Sequence, residues 1–178
     1  MAGPVVAAAV ILPADFDLPL LTDSKKLTTK QRQELAIAIK AQAVTWAFGF
    51  SWPREIEKLN ILQASLKAMA LAVNNLSCRP SKVLVDGNQP IPRLDIFQQT
   101  IVKGDVTVPQ ISAASILAKT IRDKVMQGLD KRYPGYGLAR HKGYATSEHL
   151  AALQKLGPAP IHRFTFKPIR QEKWLPLT

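Results

Sequence analysis

The stretch ISAASILAKTIRD, residues Ile111–Asp123, predicts a buried helix that nevertheless carries one polar stripe. Ser112, Ser115, Lys119 and Asp123 recur at helical spacing, and the residues between them are mostly small or apolar. A packed helix normally keeps charge off its buried face, because an unpaired buried carboxylate is costly. The carboxylate of this stripe therefore needs a partner, and we favour a divalent cation.

A second carboxylate, Asp86, ends the apolar stretch VLVDG and precedes a glycine. The carboxyl end of a buried strand is where α/β sheets place their ligands. The alternative, a turn in which the Asp side chain bonds the backbone, carries equal weight for an Asp-Gly pair. For Asp123 the alternative is an i,i+4 ion pair with Lys119, which stabilises a helix by only a few tenths of a kcal/mol. That alternative leaves the serines of the stripe unexplained.

Two such carboxylates offer the hard oxygen ligands that Mg²⁺ and Mn²⁺ prefer. A site of this kind activates water and stabilises an in-line displacement at phosphorus. The two motifs together predict a metal-assisted hydrolase in which Asp86 and Asp123 are catalytic and bind the metal, although two carboxylates alone make a sparse metal site.

The charge balance favours a polyanionic partner. The chain has 178 residues, with 24 Lys+Arg against 13 Asp+Glu, a formal net charge of +11 and a sequence pI near 10.0. Neutralising phosphates supplies most nucleic-acid affinity, so we favour nucleic acid over an ordinary basic surface. A membrane surface is less favoured, since the basic residues are not gathered along one amphipathic helix.

Several classes of protein are disfavoured by the composition. The single cysteine, Cys78, excludes an internal disulfide and suits a reducing compartment. No basic leader precedes the first apolar run, and no stretch approaches the roughly 20 apolar residues of a membrane span. We therefore expect a cytoplasmic protein.

Strand and helix signals alternate along the chain, which predicts an α/β fold. Apolar runs and period-two patterns predict strands at Val5–Leu12, Val44–Trp52, Val83–Val85 and Ile101–Val102. Helical spacing and capping signals predict helices at Thr28–Ala41, Pro53–Leu76, Pro109–Leu129 and Thr146–Leu156. We expect one catalytic domain over residues 1–157, and a basic tail over residues 158–178 that packs on it or extends from it.

The segment His141-Lys142-Gly143-Tyr144 combines basic residues with an aromatic ring that can stack on a base or a sugar. A glycine-rich surface turn is an equally weighted interpretation. The three histidines of the chain lack the spacing of a zinc site. A nucleophile elbow, a phosphate-binding loop and a dinucleotide fingerprint are all absent from the sequence.

Taken together, these motifs resemble bacterial ribonuclease HII over almost the whole chain. The matching stretches, in order, are AGPVVAAAVIL, DSKKLT, EIEKLNIL, VLVDGN, VKGD, ISAASILAKTIRD, YPGYG, HKGYAT and HRFTF. The resemblance implies the RNase H-like mixed sheet flanked by helices. It also implies hydrolysis of the RNA strand of RNA–DNA hybrids, including single ribonucleotides embedded in DNA, with Mn²⁺ or Mg²⁺.

The resemblance also assigns site residues. Asp86 matches the family's strand-end metal-binding Asp, and Asp123 matches the helical Asp of its active site. Tyr144 matches the Tyr that packs on the sugar at the RNA-to-DNA junction. Glu57 stands where the family usually has Asp. Four further positions suit contacts to substrate phosphates: Ser24, Lys25, Asn60 and Lys119.

One segment of the family pattern, Asp-Glu-x-Gly-Arg-Gly, does not precede Ala2-Gly3-Pro4 here. We therefore expect the first central strand of the sheet, with two metal carboxylates, to be missing from this chain. Two hypotheses follow: the complete protein begins upstream and is an active nuclease, or the chain is an impaired module that binds a hybrid or duplex. The intact order of the remaining site residues favours the first. Ribonuclease HIII, with its extra N-terminal domain, is a weaker rival.

The tail RQEKWLPLT contains Trp174 and Leu175 in a polar context. It has two interpretations, a weak docking peptide for a protein partner and a frayed chain end, and the second is favoured.

Overall fold

The computed structural model describes residues 1–18, 21, 27–167 and 169–171. Within those residues strands and helices alternate, which confirms the predicted α/β class. The elements are β1 (Val5–Ile11), α1 (Thr29–Gln42), β2 (Thr45–Ser51), α2 (Pro53–Leu59), α3 (Ile61–Asn74), β3 (Lys82–Asp86), β4 (Phe97–Ile101), α4 (Gly104–Thr107), α5 (Pro109–Arg132), α6 (Leu138–His141), α7 (Ser147–Leu156) and a 3₁₀ helix (Ile169–Gln171). No helix in the described part of the chain is long and apolar enough to cross a membrane.

The chain divides into two compact units. The sheet unit comprises Val6–Phe50 and Ser65–Thr120, and the terminal unit comprises Met1–Val5, Ser51–Ala64 and Ile121–Thr178. Helix α5 contributes its first part to the sheet unit and its last part to the terminal unit. The predicted division at residue 157 stays a prediction.

Helix α1 begins at the capping box that the sequence predicts. The Gln31 amide donates to the Thr28 hydroxyl at 3.2 Å, and the Thr28 amide donates to the Gln31 side-chain oxygen at 2.9 Å. These bonds satisfy two backbone donors that a helix start leaves without partners. The buried face of α1 then packs in one cluster with residues of α5 in the sheet unit: Leu35, Ala36, Ile39, Ala113, Ile116 and Leu117.

Strand β2 pairs with β1 and shows the predicted period of two. Its small residues face inward, since Thr45, Ala47 and Gly49 are buried, while Trp46 is exposed. The small face allows a close approach to α3, because a Cβ on Gly49 would lie 1.9 Å from the Ala68 carbonyl oxygen.

The helical pattern from Pro53 towards Leu76 is interrupted, and the structure has two helices there instead of one. Asn60 adopts a positive φ of 71° and ends α2. Its side-chain oxygen then accepts a hydrogen bond from the Gln63 amide at 3.1 Å in the first turn of α3. With a ψ of 169° this conformation lies in a region that is essentially confined to glycine. The asparagine side chain caps the following helix, so a single residue both ends one helix and begins the next.

Strands β3 and β4 are parallel neighbours, with Lys82 opposite Phe97 and Asp86 opposite Ile101. Val85 is buried in a cluster with Val73 of α3 and Ile91. The sequence prediction placed the fourth strand at Ile101–Val102, which is wrong, because β4 ends at Ile101. Its preceding residues give no apolar signal, since most of them are exposed.

The core of the terminal unit gathers residues from widely separated segments. The Gly3 amide donates to the Ile161 carbonyl at 2.8 Å, and the Arg163 amide donates to the Met1 carbonyl at 2.8 Å. The predicted cap at Thr146 is confirmed, because its hydroxyl accepts from the His149 amide at 3.3 Å and begins α7. The buried apolar residues of this core are Ala2, Met126, Tyr136, Leu138, Leu153, Ala159, Ile161 and Ile169.

The close contact at Gly49 predicts that Gly49→Ala lowers the free energy of unfolding by roughly 1–3 kcal/mol, because the new methyl group meets backbone atoms that cannot rotate away. Gly128→Ala is the matched control. Gly128 lies within α5 with nothing within 4 Å of its added Cβ, so alanine there should stabilise the helix by about 0.5–1 kcal/mol. Urea unfolding followed by circular dichroism measures both, and equal effects of the two substitutions would contradict the close packing of β2 on α3.

Candidate functional site

Asp86 lies where the sequence predicts it, at the carboxyl end of a strand. Its side chain is exposed, whereas the preceding Val85 is buried. One carboxylate oxygen of Asp86 accepts a hydrogen bond from the Gly104 amide at 3.0 Å. The parallel partner strand therefore delivers the segment after β4 directly to this carboxylate.

Asp105 follows Gly104 and is a residue that the sequence reasoning did not assign to the site. It lies in the first turn of α4 and is buried, with 8% of its surface exposed. Because its neighbour in the chain contacts Asp86, the structure brings two carboxylate residues to one end of the β3–β4 pair. The signal for Asp105 was present in the sequence, since Lys-Gly-Asp directly follows the second of two consecutive strands.

The approach of this segment depends on its backbone. Lys103 has a φ of 58°, in the left-handed region, and it precedes the first residue of α4. A Cβ at Gly104 would lie 2.5 Å from the Ile111 side chain, so glycine lets the chain pass close to α5. The Lys-Gly pair therefore turns the chain where Asp105 enters the site.

Asp123 lies on α5 and is also buried, with 7% of its surface exposed. The polar stripe predicted for this helix faces inward at Ser112, which is 1% exposed. Ser115 and Lys119, further along the stripe, are half-buried. Asp123 belongs to the terminal unit, whereas Asp86 and Asp105 belong to the sheet unit. Its role as a metal ligand stays a prediction. Within the described part of the chain, no cluster of three or more His, Cys, Asp or Glu residues could hold a metal ion.

Tyr144 presents its ring to solvent, with 58% of its surface exposed. The Arg122 guanidinium lies 5.2 Å from the centre of this ring, and it also donates to the Lys142 carbonyl at 3.0 Å. Lys142 and Gly143 both have positive φ, so the chain makes a tight turn just before Tyr144. An exposed aromatic ring next to a guanidinium is a suitable surface for a base or a sugar beside a phosphate.

The four predicted phosphate contacts have different outcomes. Asn60 is exposed, and its side-chain oxygen caps α3. This cap alone is enough to account for an asparagine at this position, and its phosphate contact stays a prediction. Lys119 is half-buried on α5 in the sheet unit. Ser24 and Lys25 lie outside the described residues. Glu57, which differs from the family pattern, accepts a hydrogen bond from the Phe164 amide at 2.7 Å.

Three buried histidines form a cluster in the terminal unit: His141, His149 and His162. The His141 and His149 rings stack with their centres 4.3 Å apart. The Nε2 atoms of His149 and His162 lie 3.1 Å apart, and Nδ1 of His149 lies 2.8 Å from the Tyr144 carbonyl oxygen. From the sequence, we considered the three histidines together as zinc ligands and His141 also as a basic residue near Tyr144, and their spacing gave no signal for a hydrogen-bonded cluster.

Two rings of this cluster, His149 and His162, are held uncharged. Burial, together with the neighbouring histidines and the Met1 amino group, lowers the pKa of His149 and that of His162 to about 4, although a backbone hydrogen bond to each ring acts in the opposite direction. Burial, followed by the charges of Arg163 and Arg122, lowers the pKa of the Met1 amino group to about 5. At neutral pH both rings are therefore neutral, so each has one N–H donor and one acceptor nitrogen.

Known proteins are similar to this chain over most of its length. The family sequence model described as "Ribonuclease HII" matches residues 1–169. Ribonuclease HII of Nitratidesulfovibrio vulgaris is 52% identical over 180 residues, which covers 96% of this chain and 82% of that protein.

Solved structures share the fold. The crystal structure of the ribonuclease H2 from Pyrococcus horikoshii OT3 superposes with a TM-score of 0.79 at 25% identity, covering 96% of this chain and 90% of that chain. Bst-RNase HIII in complex with Mn²⁺ superposes with a TM-score of 0.66 at 14% identity, covering 96% and 64%. The RNase H-like fold class is therefore confirmed.

The lowered histidine pKa values predict a pH-dependent stability. An unfolded histidine has a pKa of about 6.5, so between about pH 6.5 and 4 the unfolded chain binds more protons than the folded chain. The free energy of unfolding therefore falls as the pH is lowered through this window, and these two groups leave it unchanged above the window. We expect the thermal midpoint, followed by circular dichroism, to fall between pH 6.5 and 5, above the range where most carboxylates titrate.

The Met1 amino group acts with the same sign from about pH 8 down to 5, so a variant must isolate the histidines. His162→Gln should flatten the dependence below pH 6.5 and leave the dependence above pH 7 intact. A wild-type midpoint that stays constant from pH 6.5 to 5 would show that the cluster accepts protons readily in the folded chain.

Proposed function

Since the chain belongs to the ribonuclease HII family, its function is that of an endonuclease acting on RNA–DNA hybrids, and we propose that Asp86 and Asp105 bind the divalent metal at its active site. The observation that carries the proposal is the hydrogen bond from the Gly104 amide to Asp86, which brings Asp105 to the end of β3. Asp123 is proposed as a further ligand on the resemblance of its helix to the family pattern.

The residues present fit a hard cation. Asp86 is exposed at a strand end. One of its carboxylate oxygens accepts the hydrogen bond from the Gly104 amide, so the other oxygen can coordinate a metal. Asp105 is buried and directly follows Gly104, whose amide contacts Asp86, and a carboxylate is a hard oxygen ligand suited to Mg²⁺ or Mn²⁺. Mg²⁺ or Mn²⁺ bound here would supply an activated water and stabilise the leaving oxygen of the phosphodiester.

The remaining residues bind and orient the substrate. The exposed Tyr144 ring packs on the sugar at the RNA-to-DNA junction, which extends the activity to single ribonucleotides embedded in DNA. Lys119 contacts a backbone phosphate, and Asn60, Ser24 and Lys25 are further proposed contacts. The formal net charge of +11 supports a nucleic-acid substrate, because phosphate neutralisation drives such binding.

A module that binds hybrids without cleaving them is the alternative function, and the family similarity does not favour it. We also propose a cytoplasmic location, where a chromosomal substrate of this kind would be met. The docking peptide proposed for the tail lies largely outside the described residues and stays a prediction.

The metal assignment predicts that Asp86→Asn and Asp105→Asn each lower the cleavage rate by more than about 100-fold, since even outer-shell partners of metals contribute 10- to 100-fold. The assay is Mn²⁺- or Mg²⁺-dependent cleavage of a duplex that contains one ribonucleotide, with Mn²⁺ affinity measured in parallel by calorimetry. Asp123→Asn tests the helical ligand, and Asp130→Asn, seven residues later on the same helix, is its matched control.

If Asp86→Asn cuts as fast as the wild-type chain, the site assignment is wrong. If cleavage is impaired in Asp86→Asn and in just one of the other two variants, Asp105→Asn or Asp123→Asn, then Asp86 and that one residue are the metal ligands. A folded wild-type chain that binds the duplex but never cuts it would support the binding module.

The phosphate contact proposed for Lys119 predicts a change in salt dependence. Each neutralised phosphate of a duplex contributes a slope of about −0.9 to the plot of log affinity against log salt, so Lys119→Ala should reduce the magnitude of the slope by about that amount. Lys30→Ala is the control, because Lys30 is exposed on α1 and lies 4.0 Å from the Glu34 carboxylate. Fluorescence anisotropy with a labelled duplex measures both slopes, and equal slopes for wild type and Lys119→Ala would exclude the contact.

A further inference from the structure

The backbone of Tyr144 is fixed at both of its polar groups, although its ring is exposed. Its amide donates to the His141 carbonyl at 3.0 Å, and its carbonyl accepts from the Thr146 amide at 2.9 Å. The same carbonyl lies 2.8 Å from Nδ1 of His149. The residue that presents the stacking surface is therefore attached to the buried histidine cluster.

The partners of the rings determine which nitrogen carries each proton. A carbonyl oxygen only accepts, so Nδ1 of His149 must donate to Tyr144, and Nε2 of the neutral His149 ring is then an acceptor. His162 must therefore donate from its Nε2 across the 3.1 Å contact.

Nδ1 of His162 is consequently an acceptor. It lies 2.9 Å from the Ala159 amide and 3.1 Å from the Ala159 carbonyl oxygen. Of these two groups only the amide can donate a hydrogen bond to it. The result is one directed chain of hydrogen bonds, from the Ala159 amide through His162 and His149 to the Tyr144 carbonyl.

His141 supports the same turn from the other side. Its Nδ1 accepts from the Gly143 amide at 3.2 Å, so its Nε2 must donate to the Tyr136 carbonyl, 2.8 Å away. Its ring covers His149 by stacking. His149 and His162 are fully buried, and His141 is 9% exposed, so water does not compete for these bonds, and a fully satisfied buried network of this kind is rigid.

We propose that His149 and His162, covered by His141, are positioning residues that fix the Tyr144 carbonyl and thereby hold the Tyr144 ring where the sugar–phosphate of a ribonucleotide-containing duplex packs. This inference rests on the proposed function, because it takes Tyr144 as a substrate contact. The histidines touch neither substrate nor metal, and they act only through the backbone of the turn.

Two substitutions of His149 separate positioning from packing. The amide nitrogen of Asn reaches the position of Nδ1, so His149→Asn retains the donor to Tyr144 and loses the acceptor for His162. The amide of Gln reaches the position of Nε2, so His149→Gln retains the acceptor for His162 and loses the donor to Tyr144. Both remove the stacked ring, which makes them a matched pair.

The measurement is the dissociation constant for a labelled duplex with one ribonucleotide, in EDTA so that no cleavage occurs, with folding checked by circular dichroism. We expect His149→Gln to bind roughly 2- to 10-fold more weakly, the equivalent of one lost hydrogen bond. His149→Asn should stay near the wild-type value, and equal affinities of the two variants would overturn the proposal.

A double-mutant cycle shows whether the effect passes through Tyr144. Tyr144→Ala alone should weaken binding roughly 5- to 150-fold, as expected for a lost aromatic stacking surface. Adding His149→Gln to Tyr144→Ala should then cause no further loss, whereas independent, multiplying losses would overturn the positioning role. If Tyr144→Ala binds as tightly as wild type, the substrate contact of the proposed function fails, and the cause is then distinct from a failure of the histidine chain.

The wild-type chain supplies a test that does not depend on a variant that folds. Nitrogen-15 chemical shifts of the histidine rings at neutral pH should identify a proton on Nδ1 of His149 and on Nε2 of His162. A proton on Nε2 of His149 would reverse the direction of the hydrogen-bond chain, remove the donor to Tyr144, and overturn the proposal.

Discussion

The parallel pairing of β3 with β4 is the constraint from which the candidate metal site follows. Parallel strands finish at the same edge of a sheet, so Asp86 and the segment after Ile101 become neighbours once the register is set. The bond from the Gly104 amide to Asp86 then fixes the distance between them. Burial of Val85 holds that register, because a slip of one residue would move its side chain to the opposite face. The sheet thus places Asp86, and the Lys103-Gly104 turn after β4 brings Asp105 towards it.

The terminal unit uses a different device to fix an exposed residue. It buries three imidazole rings, and each ring nitrogen that donates has an acceptor while each one that accepts has a donor. This pairing avoids the cost of an unpaired buried polar group. A charge on any of these rings would break that pairing, and burial lowers the pKa of His149 and His162 to about 4. The same low dielectric that disfavours protonation strengthens the hydrogen bonds of the neutral rings. Burial is therefore the common cause of the rigid turn and of the neutral His149 and His162 rings.

Sequence patterns predicted correctly those features of the fold that depend on residues close together in the chain. The capping box at Thr28, the period of two in β2 and the strand that ends at Asp86 were all predictable, because each depends on residues a few positions apart. Asn60 was misread within a continuous apolar pattern, since its positive φ leaves the helical spacing on either side intact. The histidine chain required knowledge of contacts across 13 residues, which neither spacing nor propensity encodes. Asp105 had a local signal, the Lys-Gly-Asp after a predicted strand, but its approach to Asp86 follows from a contact across 18 residues.

Both parts of the proposed site, the metal-binding carboxylate and the stacking ring, depend on groups whose backbone is fixed before substrate arrives. Asp86 stands at the end of a paired strand, and Tyr144 has its amide and its carbonyl both engaged. Phosphodiester hydrolysis gains from such preorganisation, because the cost of ordering a ligand or a stacking ring is otherwise subtracted from the binding free energy. The exposed ring of Tyr144 would lose little further freedom on binding, since its backbone is already held and only its side-chain torsions remain. A nuclease of the proposed specificity, which would recognise one sugar within a long duplex, gains affinity from a contact surface that is already ordered.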